Sequence, residues 1–185
     1  MYICQYANVI LRCFLLRDVT LFTRAFTVYV RPVLEYNCVV WSPHLKQDIE
    51  KIERVQRRYM KRLCGLSNIS YSERLGYLRR LQLCSLELRR LHFDLLMCYR
   101  IIFGLVNVCV SDLFELHCSS QTRGHPFKLY RERSYNSVRA SYFSVRVINV
   151  WNSLPADRVD FSSFAALKQA IEQIDFSQFL FGYDN

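Results

Sequence analysis

From Ile49 to Leu63 the chain reads IEKIERVQRRYMKRL, and its apolar residues recur every three or four positions. A strand sends alternate residues to opposite faces, so this spacing gathers one buried side only in a helix. At 100° per residue, Ile49, Ile52, Val55, Tyr59, Met60 and Leu63 fall within an arc of roughly 140°. Lys51, Arg54, Arg57, Arg58, Lys61 and Arg62 fill an arc of similar width on the opposite side. Asp48, Glu50 and Glu53 open the segment and bases crowd its end, an order that suits the helix dipole. Cys64-Gly65 is expected to close the helix with a C′ glycine.

The same period recurs along the chain. Leu21, Phe22, Ala25, Phe26, Tyr29 and Val30 predict a helix over 19–30 with Asp18 as N-cap, and Arg31-Pro32 marks a kink or restart. The apolar run after it, VLEYNCVVWSP, continues to Trp41 and closes at Ser42-Pro43. A shorter helix over about 71–80 is capped by Ser70, and a long one starts at Ser85 with Leu88, Leu91, Leu95, Tyr99 and Ile102 on one face. Helices over 139–152 and 163–174 finish the pattern, separated by a turn that begins at Asn152-Ser153-Leu154-Pro155. Partial alternation at Phe127 and Leu129 in GHPFKLYRERSYN admits a short hairpin. With only 5 Gly and 4 Pro, a turn-rich sandwich is disfavoured and the expected class is mainly α.

A formal charge of +9 points to a polyanionic partner without locating a site. The basic face of the 49–63 helix, extended by Lys46, suits a phosphate backbone. The alternative is a solvated face with Glu50–Arg54 and Glu53–Arg57 pairs in the favourable order. A second cluster, Arg123, Lys128, Arg131, Arg133 and Arg139, is interleaved with Phe127, Tyr130, Tyr135 and Tyr142. That mixture suits stacked bases, or else the rings are core. The last 27 residues hold Lys168 as their one base, so the positive charge belongs to what precedes them.

Other chemistries find little footing. Cysteines at 4, 13, 38, 64, 84, 98, 109 and 118 form no CxxC, and no signal peptide precedes them, so reduced thiols and a cytoplasmic or nuclear setting are expected. Cys109, His117, Cys118 and His125 lack the close pairs of a zinc module. No GxSxG, P-loop or GxGxxG occurs, and no Asp-Asp pair is available for two-metal phosphoryl chemistry. Glu35, amid apolar residues, is read as the partner of Arg31 four positions earlier. The segment 95–110 falls short of the roughly 20 residues a membrane span needs and carries Arg100, so a buried helix is expected and no membrane partner.

Three phrases, taken in order, resemble one family. YVRPVLEYNCVVWSPHLKQDIEKIERVQRRYMKRLCGL looks like the segment after the palm in jockey-like non-LTR retrotransposon reverse transcriptases. SYSERLGYLRRLQLCSLELRRLHFDLLMCYRIIFGL and TRGHPFKLYRERSYNSVRASYFSVRVINVWNSLP are similar to its continuation. The resemblance is collinear over roughly 8–174. Its markers are Arg31-Pro32, Leu34-Glu35-Tyr36, Trp41, Gln56-Arg57-Arg58, Arg74-Leu75, Leu86-Glu87, Arg89-Arg90, Thr122-Arg123-Gly124-His125 and Trp151-Asn152-Ser153-Leu154-Pro155.

It implies a thumb-like helical region over 1–118 and a smaller α-rich extension over 119–185. The chain begins as though entering a fold midway, so it is expected to be a truncated C-terminal fragment of an RNA-directed DNA polymerase. The polymerase Asp-Asp motif and its Mg2+ would then belong to an upstream palm, leaving no catalytic residue or cofactor here. The implied partner is RNA or an RNA–DNA duplex, held by Lys51, Arg54, Arg57, Arg58, Lys61 and Arg62, with Arg123, Lys128, Arg131 and Arg133 as a second patch. The alternative is a non-enzymatic module that binds another protein, or itself, through apolar surface left by truncation.

Overall fold

The computed structural model describes residues 2–13, 18–81, 83–117, 124–133 and 136–181. The chain is mainly helical, and among the described residues no strand forms. Its helices are α1 (Tyr2–Cys13), α2 (Val19–Ala25), α3 (Arg31–Glu35), α4 (Lys46–Lys61), α5 (Tyr71–Leu78), α6 (Leu86–Ile102), α7 (Val110–Leu113), α8 (Ser137–Ala140), α9 (Phe143–Asn152) and α10 (Phe164–Gln173). Two compact units divide the chain: Met1–Cys38, Pro43–Arg89 and Leu180–Asn185 form one, Val39–Ser42 and Arg90–Phe179 the other. The 118/119 division drawn from family resemblance falls inside the second.

In the first unit, Asp18 caps α2 by accepting from the Leu21 amide at 2.9 Å. A π-helical turn, Phe26–Val30, links α2 to α3. Pro32 brings no amide proton for the Val28 carbonyl, and the ladder widens so that the Arg31 N–H reaches Phe26. Asn37 then takes a left-handed φ of 53° and turns the chain out of α3. The turn puts Tyr36 in solvent at 81% exposure, although the sequence there reads as a continuing apolar run.

Phe22, Phe26 and Val30 pack with Ala7 and Ile10 of α1, Val55, Tyr59 and Met60 of α4, and Leu78 of α5. The Phe26 and Tyr59 rings lie 4.8 Å apart, and the Tyr59 hydroxyl donates to the Phe22 carbonyl at 2.9 Å. Ser70 and Glu73 close a reciprocal capping box on α5. The end of α4 differs from expectation. Arg62 caps it with helical backbone angles, and Gly65, at φ 76°, makes its left-handed turn three residues later.

In the second unit Trp151 of α9 is fully buried among Phe161, His125 and the 124–130 segment. Phe127 meets Phe161 at 5.3 Å and Phe103 at 4.9 Å, and Tyr99 stacks on Phe103 at 4.3 Å. The hairpin expected near Leu129 reduces to one antiparallel bridge between Leu116 and Leu129. Asn152 replaces the next strand: its amide accepts from the Leu129 N–H at 2.9 Å and donates to the Leu129 carbonyl at 2.8 Å. Asp94 and Arg146 form a bidentate pair at 2.7 and 2.8 Å, and Arg146 also donates to the Val39 carbonyl. No described helix is long and apolar enough to cross a membrane.

Candidate nucleic-acid interface

Helix α4 buries Ile49, Val55, Tyr59 and Met60, and Leu63 follows just beyond it, the apolar arc its sequence lays out. The opposite side exposes Lys51, Arg54, Arg58, Lys61 and Arg62. Lys51 is held by Asp48 at 2.8 Å, and Arg62 donates to the Asn8 side-chain oxygen of α1. The side chains of Arg54, Arg58 and Lys61 make no ion pair or hydrogen bond among the described residues. From Arg54 to Arg62 the row runs about 12 Å along the axis at 1.5 Å per residue.

Arg57 does not belong to that row. It is half-buried, with its guanidinium over the Tyr71 ring at 4.7 Å. At 100° per residue it stands roughly 40° from the buried Glu53, at one end of the basic arc.

Glu53 and Gln56 are buried, and neither was assigned a core role from the sequence. Gln56, at 0% exposure, donates to the Tyr71 hydroxyl at 3.2 Å and to the Cys84 carbonyl at 2.9 Å. The Glu53 carboxylate accepts from the Tyr71 hydroxyl and, at 3.1 Å, from the Leu86 amide at the start of α6. Burial, reinforced by the Glu53 charge, pushes the Tyr71 hydroxyl far above the ordinary phenol range. Tyr71 therefore stays a donor at any physiological pH. The signal for Gln56 was present, because its wheel position lies inside the apolar arc. The role of Glu53 was not legible, because its partners are distant in sequence.

Other resemblance markers also hold the fold together. Glu35 pairs with Arg31 at 3.9 Å, as expected, and with Arg89, whose second contact measures 3.1 Å. Arg74 is buried and donates to the carbonyls of Ile69 at 3.1 Å and Arg57 at 3.2 Å. His125 and Trp151 join markers 26 positions apart: the His125 Nε2–H donates to the Trp151 carbonyl at 2.8 Å, and the Trp151 indole donates to Phe127. Burial lowers the His125 pKa and the Lys128 charge adds to the effect.

The second basic cluster is only partly assembled. Arg123 and Tyr135 lie outside the described residues. Arg131 and Arg133 are exposed, Lys128 is half-buried with its side-chain end against Gly124, and Arg139 pairs with Glu132 at 2.5 Å. Of its aromatic neighbours Tyr130 and Tyr142 are exposed, whereas Phe127 is packed among rings. Among the described residues no three His, Cys, Asp or Glu side chains come together to hold a metal.

No protein-family model matches the chain, and no solved structure matches it. Over 70 residues it is 39% identical to an uncharacterized protein of Caenorhabditis elegans, a stretch that covers 36% of this chain and 35% of that one. The chain thus spans about a third of the relative's length.

Proposed function

We propose that this chain is the thumb and post-thumb part of a jockey-like non-LTR retrotransposon reverse transcriptase, and that the outer face of α4 lies against RNA or an RNA–DNA duplex. Catalysis is not assigned to these residues. The observation that carries the reading is the exposed row of Arg54, Arg58 and Lys61, whose side chains are unpaired among the described residues and which is backed by a buried face. Structural salt bridges would have occupied those cations; phosphates would do so with release of counterions. The collinear order of the family markers supplies the parent activity, and a cytoplasmic or nuclear location follows from the same reading. Arg57 contributes through Tyr71 and α5, not through phosphate. Exposed Arg131, Arg133, Tyr130 and Tyr142 form the second patch.

The test is a salt titration of binding to a short hybrid duplex. Replacing Arg54, Arg58 and Lys61 with Ala should lower the slope of log K against log salt by about one unit per lost contact. The single change Arg57→Ala should leave that slope alone and lower stability. An unchanged slope in the triple variant would remove the assignment. Duplex-independent, salt-insensitive oligomers would transfer it to the self-association reading, for which exposed Val28, Tyr29, Val33 and Tyr36 offer an apolar surface.

A further inference from the structure

Between α1 and α4 lies a cleft of about 280 Å3. Its apolar lining comes from Ala7, Leu11, Val55 and Tyr59, and its polar lining from Asn8, Arg58, Lys61 and Arg62. Tyr59 lies buried beneath the cleft with its hydroxyl committed to the Phe22 carbonyl, so it offers no donor, and the open apolar wall is Leu11. Arg62 is fixed from α1 by its bond to the Asn8 oxygen. That bond leaves the Asn8 amide N–H groups unpaired among the described residues and beside the apolar lining. Three cations, one amide donor and an apolar wall thus meet in one small space.

We propose that this cleft is a pocket for a single unpaired nucleotide, its base against Leu11 over the buried Val55 and Tyr59 and its phosphate among Arg58, Lys61 and Arg62. Two guanidinium groups and an ammonium match the several oxygens of a phosphate. The Asn8 amide is placed to donate to an acceptor on the base edge, a partner that an alkyl-chain anion lacks. The volume lies just below the range of about 300–1,000 Å3 typical of small-ligand pockets, which suits one nucleotide and not a docked helix. The proposal rests on α4 facing nucleic acid, and it adds that the helix reads an unstacked base beside the backbone it follows.

The experiment is an NMR titration of the full chain with adenosine 5′-monophosphate, ribose 5-phosphate and inorganic phosphate, alongside the duplex salt titration. The monophosphate should shift the amides of Asn8, Leu11, Arg58 and Arg62 together and bind at least about tenfold tighter than either anion lacking the base. Leu11→Trp should fill the cleft and abolish this binding while leaving the duplex salt slope intact, because Leu11 carries no charge. Asn8→Asp, which removes the amide donor to the base edge but keeps an oxygen for Arg62, is a second variant should the first misfold, and it should erase the preference for the monophosphate over ribose 5-phosphate. Equal binding of ribose 5-phosphate would reduce the cleft to an anion site and overturn the proposal. Absence of monophosphate binding with a normal duplex slope would overturn the pocket and spare the duplex face. Binding of an acidic amphipathic peptide in place of the nucleotide would assign the cleft to a protein partner.

Discussion

The two units solve the problem of irregular backbone by different means. In the first, charged side chains hold the ends of helices. Glu53 meets the opening amide of α6, Arg74 takes carbonyls before α5 and within α4, and Glu35 is clamped by Arg31 and Arg89. In the second, rings and one neutral amide hold an extended segment that has no strand partner beyond a single bridge. Trp151, Phe161 and Asn152 clasp residues 125–129 from the side, and His125 of that segment bonds back to the Trp151 carbonyl. A helix end leaves unpaired polar groups, which a charge can satisfy strongly. A lone extended segment needs both its backbone pairing and its hydrophobic cover, which a Trp and an Asn in sequence provide together.

The largest expected effect breaks the second clasp. Trp151→Ala should cost about 3–5 kcal/mol, the range for emptying a buried aromatic site. Hydrogen exchange should then accelerate first at residues 125–130 and in α9, while the amides of α4 keep their protection. Equal loss of protection in α4 would show that the units unfold as one and would erase the contrast.

Next comes the charged network. Glu53→Ala leaves the Tyr71 hydroxyl and the Leu86 amide without their acceptor, at roughly 1–3 kcal/mol per buried group. Glu53→Gln keeps an acceptor oxygen and should recover much of the loss in a urea titration. If Gln proves as damaging as Ala, the charge itself is the essential element, and the difference between the units is sharper than hydrogen bonding alone requires.

The smallest effect is one of pH and belongs to the ring-lined unit. Burial sets the folded His125 pKa below its ordinary 6.5, so the folded state resists a proton that the unfolded chain accepts. Its contribution to stability is complete above 6.5 and is lost as pH falls from there through the folded value. The unfolding midpoint of α9 should therefore decline on acidification over that window. His125→Gln, which retains an N–H donor for the Trp151 carbonyl, should flatten the decline. A decline of equal size in the variant would place the titrating group elsewhere.

Local rules made much of the helical architecture legible. Asp18 and Ser70 cap the helices they were expected to cap, because a side-chain oxygen needs only an amide three positions away. The helix expected over 139–152 divides instead into α8 and α9 around Tyr142, and the apolar run after Ile102 leaves the helix through Gly104 at φ 66°. Both departures occur where a turn interrupts an otherwise helical pattern of side chains.

By itself the sequence determined which side of α4 faces the core and which presents its bases, since 3.6-residue periodicity is a property of the helix alone. The caps and the mainly α class follow from rules of equally short range. Tertiary structure decided which polar residues cross to the inner side. Glu53, Gln56, Arg74 and His125 are buried because acceptors or donors 5 to 33 positions away arrive to meet them. It also decided that Arg57 leaves the basic row for the Tyr71 ring and that Phe127 joins a core while Tyr130 remains in solvent. Desolvating a polar group costs more than one hydrogen bond returns unless its partner is already in place, and chain order does not reveal where such partners meet.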